Sequence, residues 1–423
     1  MFHELFNNLV HGLTLTTLQH LTRLSAIALG SILWVEIVRD LYHVLAHVWS
    51  PLGRLHNWHH RVFRPDLSVM SEEIYRKAHW YNDVPEALVM LTFSLLPGLV
   101  CWIWGYSLGA AAAGVGSLYT LTFLGGAIAR GAGVPQMDEL TDLTHRPGPF
   151  STYPSHWRVN RTYHWRHHFD DQKAYYCGTL TLVDQLLGTA LSLKGKTIAV
   201  TGASGSLGQA LLKELHGKGA KVIALTSQDH PLDIMVKGET IPLKTVTWKI
   251  GEEAALQSLL EKVDILILNH GVNVHQQRSP SAIETAYAVN TFSVLRLMEL
   301  FFKTVQTNAQ IATKEVWINT SEAEVNPAFS PLYELSKRAI GELITLQRLD
   351  APCVVRKLIL GPFKSALNPV GILSADWVAQ QIVKAAQRDS RNIIVTINPL
   401  TFLAFPVKEF LTSLYFRLFT RRT

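Results

Sequence analysis

His43 and His47 are spaced i, i+4, which places both imidazoles on one face of a helix. His56, His59 and His60 follow as an H-x-x-H-H cluster, and the same spelling returns as His164, His167 and His168 in "RTYHWRHHFDD". Imidazole suits iron, copper and zinc, and so many rings exceed what one tetrahedral ion uses. Two metals sharing the site is the natural count. One i, i+4 pair alone arises by accident on surfaces and in cores. Two H-x-x-H-H clusters beside an H-x-x-x-H in one apolar segment carry far more weight. Structural zinc is the alternative, but it rarely uses this many histidines with no cysteine. Asp40, one turn before His43, is placed to orient one ring. His79 and His156 rank below these residues, and His3, His11 and His20 read as bystanders.

A second set lies downstream. "TGASGSLG" follows an apolar strand and opens a helix, so Gly202, Gly205 and Gly208 let the backbone turn tightly and approach a pyrophosphate at the helix N-terminus. Ser204 lies inside that turn. "LNHG" brings Asn269 and Gly271 to the end of another buried strand, and Asn290 sits in a helix-like "AVNTFS". Ser321 closes "VWINTS", with Thr320 competing for its role, and "YELSK" sets Tyr333 and Lys337 one helical turn apart. A phenol near pKa 10 is a poor base at neutral pH without a neighbouring cation, which is the chemistry this pair offers. The second strand ends in "ALTSQDH" without an acidic residue to accept from a ribose 2′-hydroxyl. Thr226 and Ser227 tolerate a 2′-phosphate there, so NADP(H) is expected rather than NAD(H).

Two kinds of scaffold must hold these sets. The 423 residues suffice for two or more full cores. Mean hydropathy is +0.14 and the isoelectric point about 9.1, between a soluble enzyme and an embedded transporter. Fourteen of the 18 histidines precede residue 169, so the halves do different chemistry. No charged side chain occurs between Glu86 and Arg130. At about 1.5 Å per residue this run crosses a hydrocarbon core of roughly 30 Å twice, and it reads as a helical hairpin with spans near 85–105 and 107–129. The small residues from Gly109 to Gly116 permit close helix contact. An earlier span lies near 22–38, with Glu36 and Arg39 at its end, and 5–20 is interfacial or a further span. After residue 190, "KGKTIAVTGASGSLGQALLKELHGKGAKVIALTS", then 263–268, 315–319 and 353–360, alternate buried strands with helices, the pattern of a doubly wound parallel sheet. The fold class is therefore mixed. An N-terminal all-α membrane bundle (1–190) precedes a C-terminal α/β Rossmann-like domain (194–397) and an apolar, basic-ended segment (398–423) that lies on the membrane surface or packs back on the protein. The widely spaced Cys101, Cys177 and Cys353 make no disulfide framework and indicate a reducing compartment. No cleavable signal is evident. Arg and Lys cluster beside apolar spans, which points to cytoplasmic loops and anionic lipid and away from nucleic acid.

Residues 25–190 resemble the membrane-bound fatty acid hydroxylase/sterol desaturase superfamily in "DLYHVLAH", "HNWHH" and "HWRHH", with "YYCG" and "LVDQLLGT" (Asp184, Gly188, Thr189) similar to the family's closing signatures. The resemblance implies a non-haem di-iron centre at the cytosolic membrane face that activates O2 against a lipid C–H bond. The implied ligands are His43, His47, His56, His59, His60, His145 (in "LTHRPG"), His164, His167 and His168. Residues 194–397 resemble the short-chain dehydrogenase/reductase family. That resemblance implies that Tyr333 exchanges the proton at the substrate oxygen, Lys337 lowers its pKa and holds the ribose, Ser321 positions the oxygen and Asn290 supports a relay. The sequence departs from the family with "NHG" for N-A-G, Ser206 in the glycine turn and "LGPF" where P-G is expected.

The combined expectation is a bifunctional lipid-modifying oxidoreductase in an integral membrane protein with both sites facing the cytosol. O2-dependent hydroxylation or desaturation of a sterol-like, fatty acyl or carotenoid lipid would be coupled to NAD(P)-dependent alcohol/carbonyl interconversion. Nicotinamide moves two electrons at a time, so an external ferredoxin- or cytochrome-type one-electron donor is expected for the two irons. The alternatives are aldehyde-to-alkane chemistry, or one active half with the other serving docking or regulation.

Overall fold

The computed structural model describes residues 15–236 and 238–421. His3, His11 and the first part of the apolar segment 5–20 lie outside them. The chain forms two compact units with interleaved boundaries: Met1–Gly148, Trp157–His164 and Tyr176–Val183 in the first, and Pro149–His156, Trp165–Tyr175 and Asp184–Thr423 in the second.

The first unit is helical: α1 (Leu15–Val48), α2 (Ser50–His60), α3 (Glu72–Ala78), α4 (Val84–Ser94), α5 (Leu96–Ile103) and α6 (Ser107–Gly131), with a π-turn at His79–Asp83 joining α3 to α4. Three helical stretches, Thr17–Val48, Glu72–Ile103 and Ser107–Gly131, are long and apolar enough to cross a membrane. Pro51 and Pro85 stand in the first turns of α2 and α4, where a missing N–H costs nothing. The expected hairpin turns at Gly105, whose φ is +70°. Its small residues serve close packing: the Gly116 N–H donates to Ser31 Oγ at 3.0 Å, and a Cβ on Gly116 would lie 2.9 Å from the Ser31 carbonyl oxygen. Glu36 and Arg39 pair with each other, and the Tyr119 hydroxyl donates to Glu36 at 2.5 Å, the partnering that charge inside apolar helices requires. A further helix, α7 (Arg161–Phe169), carries the third histidine cluster; its residues to His164 belong to the first unit and those from Trp165 to the second.

The second unit is built on seven parallel strands: β1 (Thr197–Thr201), β2 (Lys221–Thr226), β5 (Lys244–Thr247), β6 (Ile265–Leu268), β7 (Glu315–Asn319), β8 (Val354–Leu360) and β9 (Asn392–Val395), in the order β5-β2-β1-β6-β7-β8-β9. A small antiparallel pair, β3 (Asp233–Val236) and β4 (Glu239–Pro242), intervenes in the chain. The central strands are buried except at Thr197, the first residue of β1, as strands covered on both faces must be. One face packs under α8 (Ser206–Gly217) and α12 (Ala375–Gln387), the other under α10 (Val294–Phe302) and α11 (Pro331–Gln347), with α9 (Pro280–Tyr287) set against α11 through Ala282, Ala286 and Leu332. The strand order reverses at β1, and the connections leaving β1 and its paired neighbour β6 run to opposite sides, which leaves a crevice at their carboxyl ends, where such sheets bind ligands. The expected strands at 263–268, 315–319 and 353–360 are β6, β7 and β8. The C-terminal segment forms α13 (Pro399–Phe419), which buries Thr401, Phe405 and Glu409 as an i, i+4, i+8 stripe.

Buried charge anchors β7 and β8. Glu315 meets Arg356 at 2.8 and 3.0 Å and Arg166 at 3.2 Å, and Arg356 meets Asp389 at 2.8 Å. The Glu315 and Arg356 side chains are fully buried. Arg166, between the histidines of the third cluster, thus has a structural task of its own.

Candidate functional site

The first unit gathers imidazoles into two groups. The ligand nitrogens of His43, His47, His56 and His60 lie within 4.8 Å of one another, and so do those of His59, His145 and His164. α1 supplies His43 and His47, and α2 supplies His56, His59 and His60. His56 and His60 share one face of α2, while His59 is turned toward His145, their ring centroids 5.0 Å apart. The H-x-x-H-H spelling therefore feeds both groups from a single helix.

The tautomers follow from the partners. His43 Nδ1 is 2.6 Å from the Tyr176 carbonyl oxygen, which only accepts, so that nitrogen donates its proton. His56 Nδ1 donates to Asn82 Oδ1 at 2.9 Å, and the Asn82 amide nitrogen donates to Asp83, which fixes the orientation of the amide. In the neutral rings both Nε2 atoms are then bare lone pairs, yet they face each other at 3.0 Å, and His60 Nε2 stands 2.9 Å from His56 Nε2. In the second group, His145 Nδ1 donates to the Asp142 carboxylate at 2.5 Å while its Nε2 faces His164 Nε2 at 2.8 Å. Facing lone pairs repel unless a cation stands between them. Burial lowers the pKa of His56 and holds His59 well below the usual histidine range, the latter reinforced by His145, so burial disfavours a proton on those two rings. Convergent Nε2 atoms whose Nδ1–H groups are held by carbonyl, amide and carboxylate oxygens fit transition-metal ligation.

His167 and His168 follow His164 on α7, and the His167 Nδ1–H is held by the Ala174 carbonyl oxygen at 2.8 Å. Asp40 is a correction. It accepts from the Gly178 N–H at 3.0 Å and lies beside Arg39, while the carbonyl of Tyr176 orients the His43 ring in its place. His79 Nδ1 contacts Asp83 at 2.5 Å, His156 meets Asp389 at 3.1 Å within the second unit, and His20 is exposed. Asp184 and Thr189 close a local turn, with the Thr189 hydroxyl donating to the carboxylate at 2.6 Å.

In the second unit, a cavity of about 1340 Å³ opens at the carboxyl ends of the strands. Gly202, Ser204, Gly205, Thr226, Ser227, Asn269 and Gly271 line it, together with Ser321, Tyr333 and Lys337. Gly202 has φ +63°, and a Cβ on Gly208 would lie 2.2 Å from the Gly202 carbonyl oxygen. The turn therefore exists only with glycine at both places, and its backbone lies open to a dinucleotide as the motif requires. The Thr226 hydroxyl donates to Ser204 Oγ at 3.3 Å, so polar oxygens stand where a 2′-phosphate would be met.

Tyr333 and Lys337 share a face of α11. The Lys337 ammonium donates to the Asn319 carbonyl oxygen at 2.8 Å, and Tyr333 is hydrogen-bonded to Ser321. Burial moves Lys337 down to about 8, with Glu324 opposing. Burial also raises Tyr333, and the Ser321 bond pulls the other way. The resemblance implied that the lysine lowers the tyrosine. Lys337 Nζ stands 5.9 Å from the centroid of the Tyr333 ring while it donates to that backbone carbonyl. Thr320 does not replace Ser321, because its hydroxyl turns to the Leu358 carbonyl of β8. Asn290, in a π-turn, spends its amide on the Val272 backbone and Ser336 Oγ. It positions the loop after β6.

One lining residue escaped attention. His270, the odd member of "NHG", is buried in the cavity wall, with Nδ1 2.8 Å from the Thr201 hydroxyl and its ring edge-on to Trp248 at 5.2 Å. Its Nε2 has no hydrogen-bond partner among the described residues. Burial, helped by Lys337, lowers its pKa to about 3. The only sequence signal was the departure from N-A-G.

Residues 196–352 match the family model "short chain dehydrogenase", so the second unit contains a short-chain dehydrogenase domain. Over 400 residues the chain is 69% identical to the monoglucosyldiacylglycerol epimerase of Synechocystis sp., covering 94% of this chain and 98% of that one. It is 25% identical over 211 residues to the L-xylulose reductase of Bos taurus, covering 46% of this chain and 81% of that one. Among solved structures, a short chain dehydrogenase from Burkholderia cenocepacia in complex with NADP is 19% identical, with a TM-score of 0.44, covering 55% of this chain and all of that one.

Proposed function

The chain belongs to the family of the Synechocystis monoglucosyldiacylglycerol epimerase, and we propose that its dehydrogenase half inverts one hydroxyl-bearing carbon in the sugar headgroup of a glycolipid. The observation that carries this reading is the grouping of Ser321, Tyr333 and Lys337 in a cavity exceeding the roughly 300–1,000 Å³ of ordinary small-molecule sites. That space accommodates a dinucleotide and a sugar together. NADP(H) is the expected cofactor, held by the Gly202–Gly208 turn, Thr226, Ser227 and Asn269, and it supplies a reversible two-electron hydride acceptor. Inversion at a carbinol carbon calls for oxidation followed by reduction on the opposite face, with no net redox change. The chain's own part is acid–base work. Tyr333 takes the hydroxyl proton, Ser321 holds the oxygen through the carbonyl stage, and Tyr333 returns the proton after the sugar has turned. Lys337 supplies positive charge beside the ribose and the phenol.

The experiment uses the purified full chain with NADP(H) or NAD(H) and monoglucosyldiacylglycerol in mixed micelles made up in D2O. Lipid mass spectrometry and headgroup sugar analysis should show the inverted sugar with no deuterium on carbon, and Tyr333→Phe should lose at least about a hundredfold in rate. An unchanged headgroup, or deuterium at the inverted carbon, refutes the reading.

The facing Nε2 lone pairs favour a second activity. We read the imidazole groups as a two-metal centre, di-iron by the resemblance, which also implies His167 and His168 as ligands. It would hydroxylate or desaturate a membrane lipid using O2 and an external one-electron donor, at the cytosolic face of a chain that spans the membrane. Epimerisation itself needs neither oxygen nor electrons, so the two chemistries separate cleanly. Elemental analysis should find iron in the full chain and much less in His59→Ala. Lipids exposed to it should gain one oxygen or lose two hydrogens. A chain free of transition metals sinks this part and leaves the epimerase.

A further inference from the structure

The cavity of the second unit is polar at its floor and apolar at its mouth. Phe329 lines it and is 93% exposed. Its φ of +55° is a left-handed conformation that bulky side chains avoid. Its neighbours hold it there: the Ala328 N–H donates to Glu334 at 2.8 Å, and the Ser330 hydroxyl donates to Asn273 at 2.7 Å. A strained backbone thus presents a phenyl ring to the outside. A second lining segment, pinned at its base by the Phe363–Leu373 bridge, exposes Val370 at 88% and Ile372 at 71%. The third element is the first turn of α13. Glu322, itself in the cavity wall, accepts from Thr396 at 2.6 Å and Thr401 at 3.2 Å, and Asn326 donates to Thr401 at 2.7 Å. Leu400 and Leu403 of that turn are exposed.

Scattered exposed apolar residues are ordinary, but a set concentrated at the entrance of a polar site marks an interaction surface. Charge identifies the partner. Along α13 the single acidic residue, Glu409, is turned inward onto Lys357 and Arg348, whereas at the far end of the helix, about 20 Å beyond Leu403, Arg417 is exposed among Leu414, Tyr415 and Leu418, and Arg421 follows, so the exposed apolar run that starts at the rim ends in cations. Cations beside apolar and aromatic side chains suit an anionic bilayer surface. We propose that the cavity mouth docks into the membrane surface through Phe329, Val370, Ile372 and the first turn of α13, so that a glycolipid enters headgroup first while its acyl chains remain in lipid. The identity of the entering lipid rests on the epimerase reading; the docking rests on the rim.

The test is a depth measurement on the full chain. Cys101→Ser removes the thiol that is not buried. Phe329→Cys, Val370→Cys or Lys218→Cys is then labelled with an environment-sensitive NBD dye. Lys218 follows the far end of α8, away from the cavity. Reconstituted into phosphatidylcholine–phosphatidylglycerol vesicles containing acyl-brominated lipid, labels at 329 and 370 should shift to the blue and be quenched, and the label at 218 should not. Absence of quenching at the rim overturns the proposal. So does a blue shift already present in detergent that grows with protein concentration, because a second copy would then cover the rim. As a second readout, Leu403→Asp, which lies outside the cavity lining, should raise KM about tenfold or more for the diacyl glycolipid in vesicles and leave a water-soluble glucoside unaffected. Equal effects on both substrates count against the proposal. Quenching without epimerisation removes the epimerase reading and leaves the docking intact.

Discussion

Lys337 sits in its site at the expense of stability, and Lys337→Met should show it. The side chain is 3% exposed, and burial moves its pKa from 10.5 to about 8. At about 1.36 kcal/mol per unit, the buried ammonium costs about 3 kcal/mol relative to the neutral amine. The bond to Asn319 and the charge of Glu324 do not cancel that cost. The sign follows from linkage. Between pH 8 and 10.5 the unfolded chain holds a proton on this lysine that the folded chain has released, so the native protein gains stability as pH rises through that window. Below pH 8 both states are protonated and the full cost applies. Lys337→Met removes the charge and should flatten the pH dependence by about 3 kcal/mol across the window. At about 2 °C per kcal/mol, this is a difference of about 6 °C in Tm. At pH 7 the variant should be about as stable as the parent or slightly more so, since the roughly 3 kcal/mol recovered with the buried charge is offset by about 1.5–3 kcal/mol lost with the bond to the Asn319 carbonyl. Epimerisation should nevertheless fall by orders of magnitude. The assay is a pH series of thermal melts in detergent for both proteins, with rates measured alongside. Parallel melting curves from pH 8 to 10.5, or a variant several kcal/mol weaker at pH 7, refute the argument.

Other outcomes follow from single contacts. Gly208→Ala drives a Cβ to 2.2 Å from the Gly202 carbonyl oxygen, so dinucleotide binding by fluorescence titration should be lost while the metal content of the first unit stays unchanged. Glu315→Gln leaves Arg166 without a carboxylate and Arg356 with Asp389 alone, and should cost about 3–5 kcal/mol in denaturant melts, with Arg356→Met recovering part of it. His270 is held neutral, its pKa lowered to about 3. The stability tied to it is present above pH 6.5 and is lost as pH falls toward 3, at about 1.4 kcal/mol per unit. His270→Ala should therefore melt with a shallower acid dependence.

The fold was legible wherever one local rule decided the outcome. The uncharged run between Glu86 and Arg130 had no soluble solution as cheap as a hairpin, and its turn lies at Gly105. The glycine turn was equally plain, because a Cβ at Gly208 has no place to go. Long-range contacts were hidden. No spacing rule shows that Asp40 meets Gly178 and leaves the His43 ring to the Tyr176 carbonyl, since that pairing depends on a loop far along the chain. Nor does any rule show that Arg166, set between histidines, is committed to Glu315. The least legible feature is the one that matters most for the imidazoles. A sequence states that rings are present and says nothing about which nitrogen faces inward. Only partners at Nδ1, such as Tyr176, Asn82 and Asp142, settle that the Nε2 lone pairs converge. Where two such lone pairs meet, as those of His43 and His56 do at 3.0 Å, the proposed shared cation would remove the repulsion. Replacing Asn82 with Leu would therefore free the His56 ring to turn and should weaken metal retention about tenfold or more by equilibrium competition with a chelator. Unchanged retention would mean that His56 is not oriented in this way.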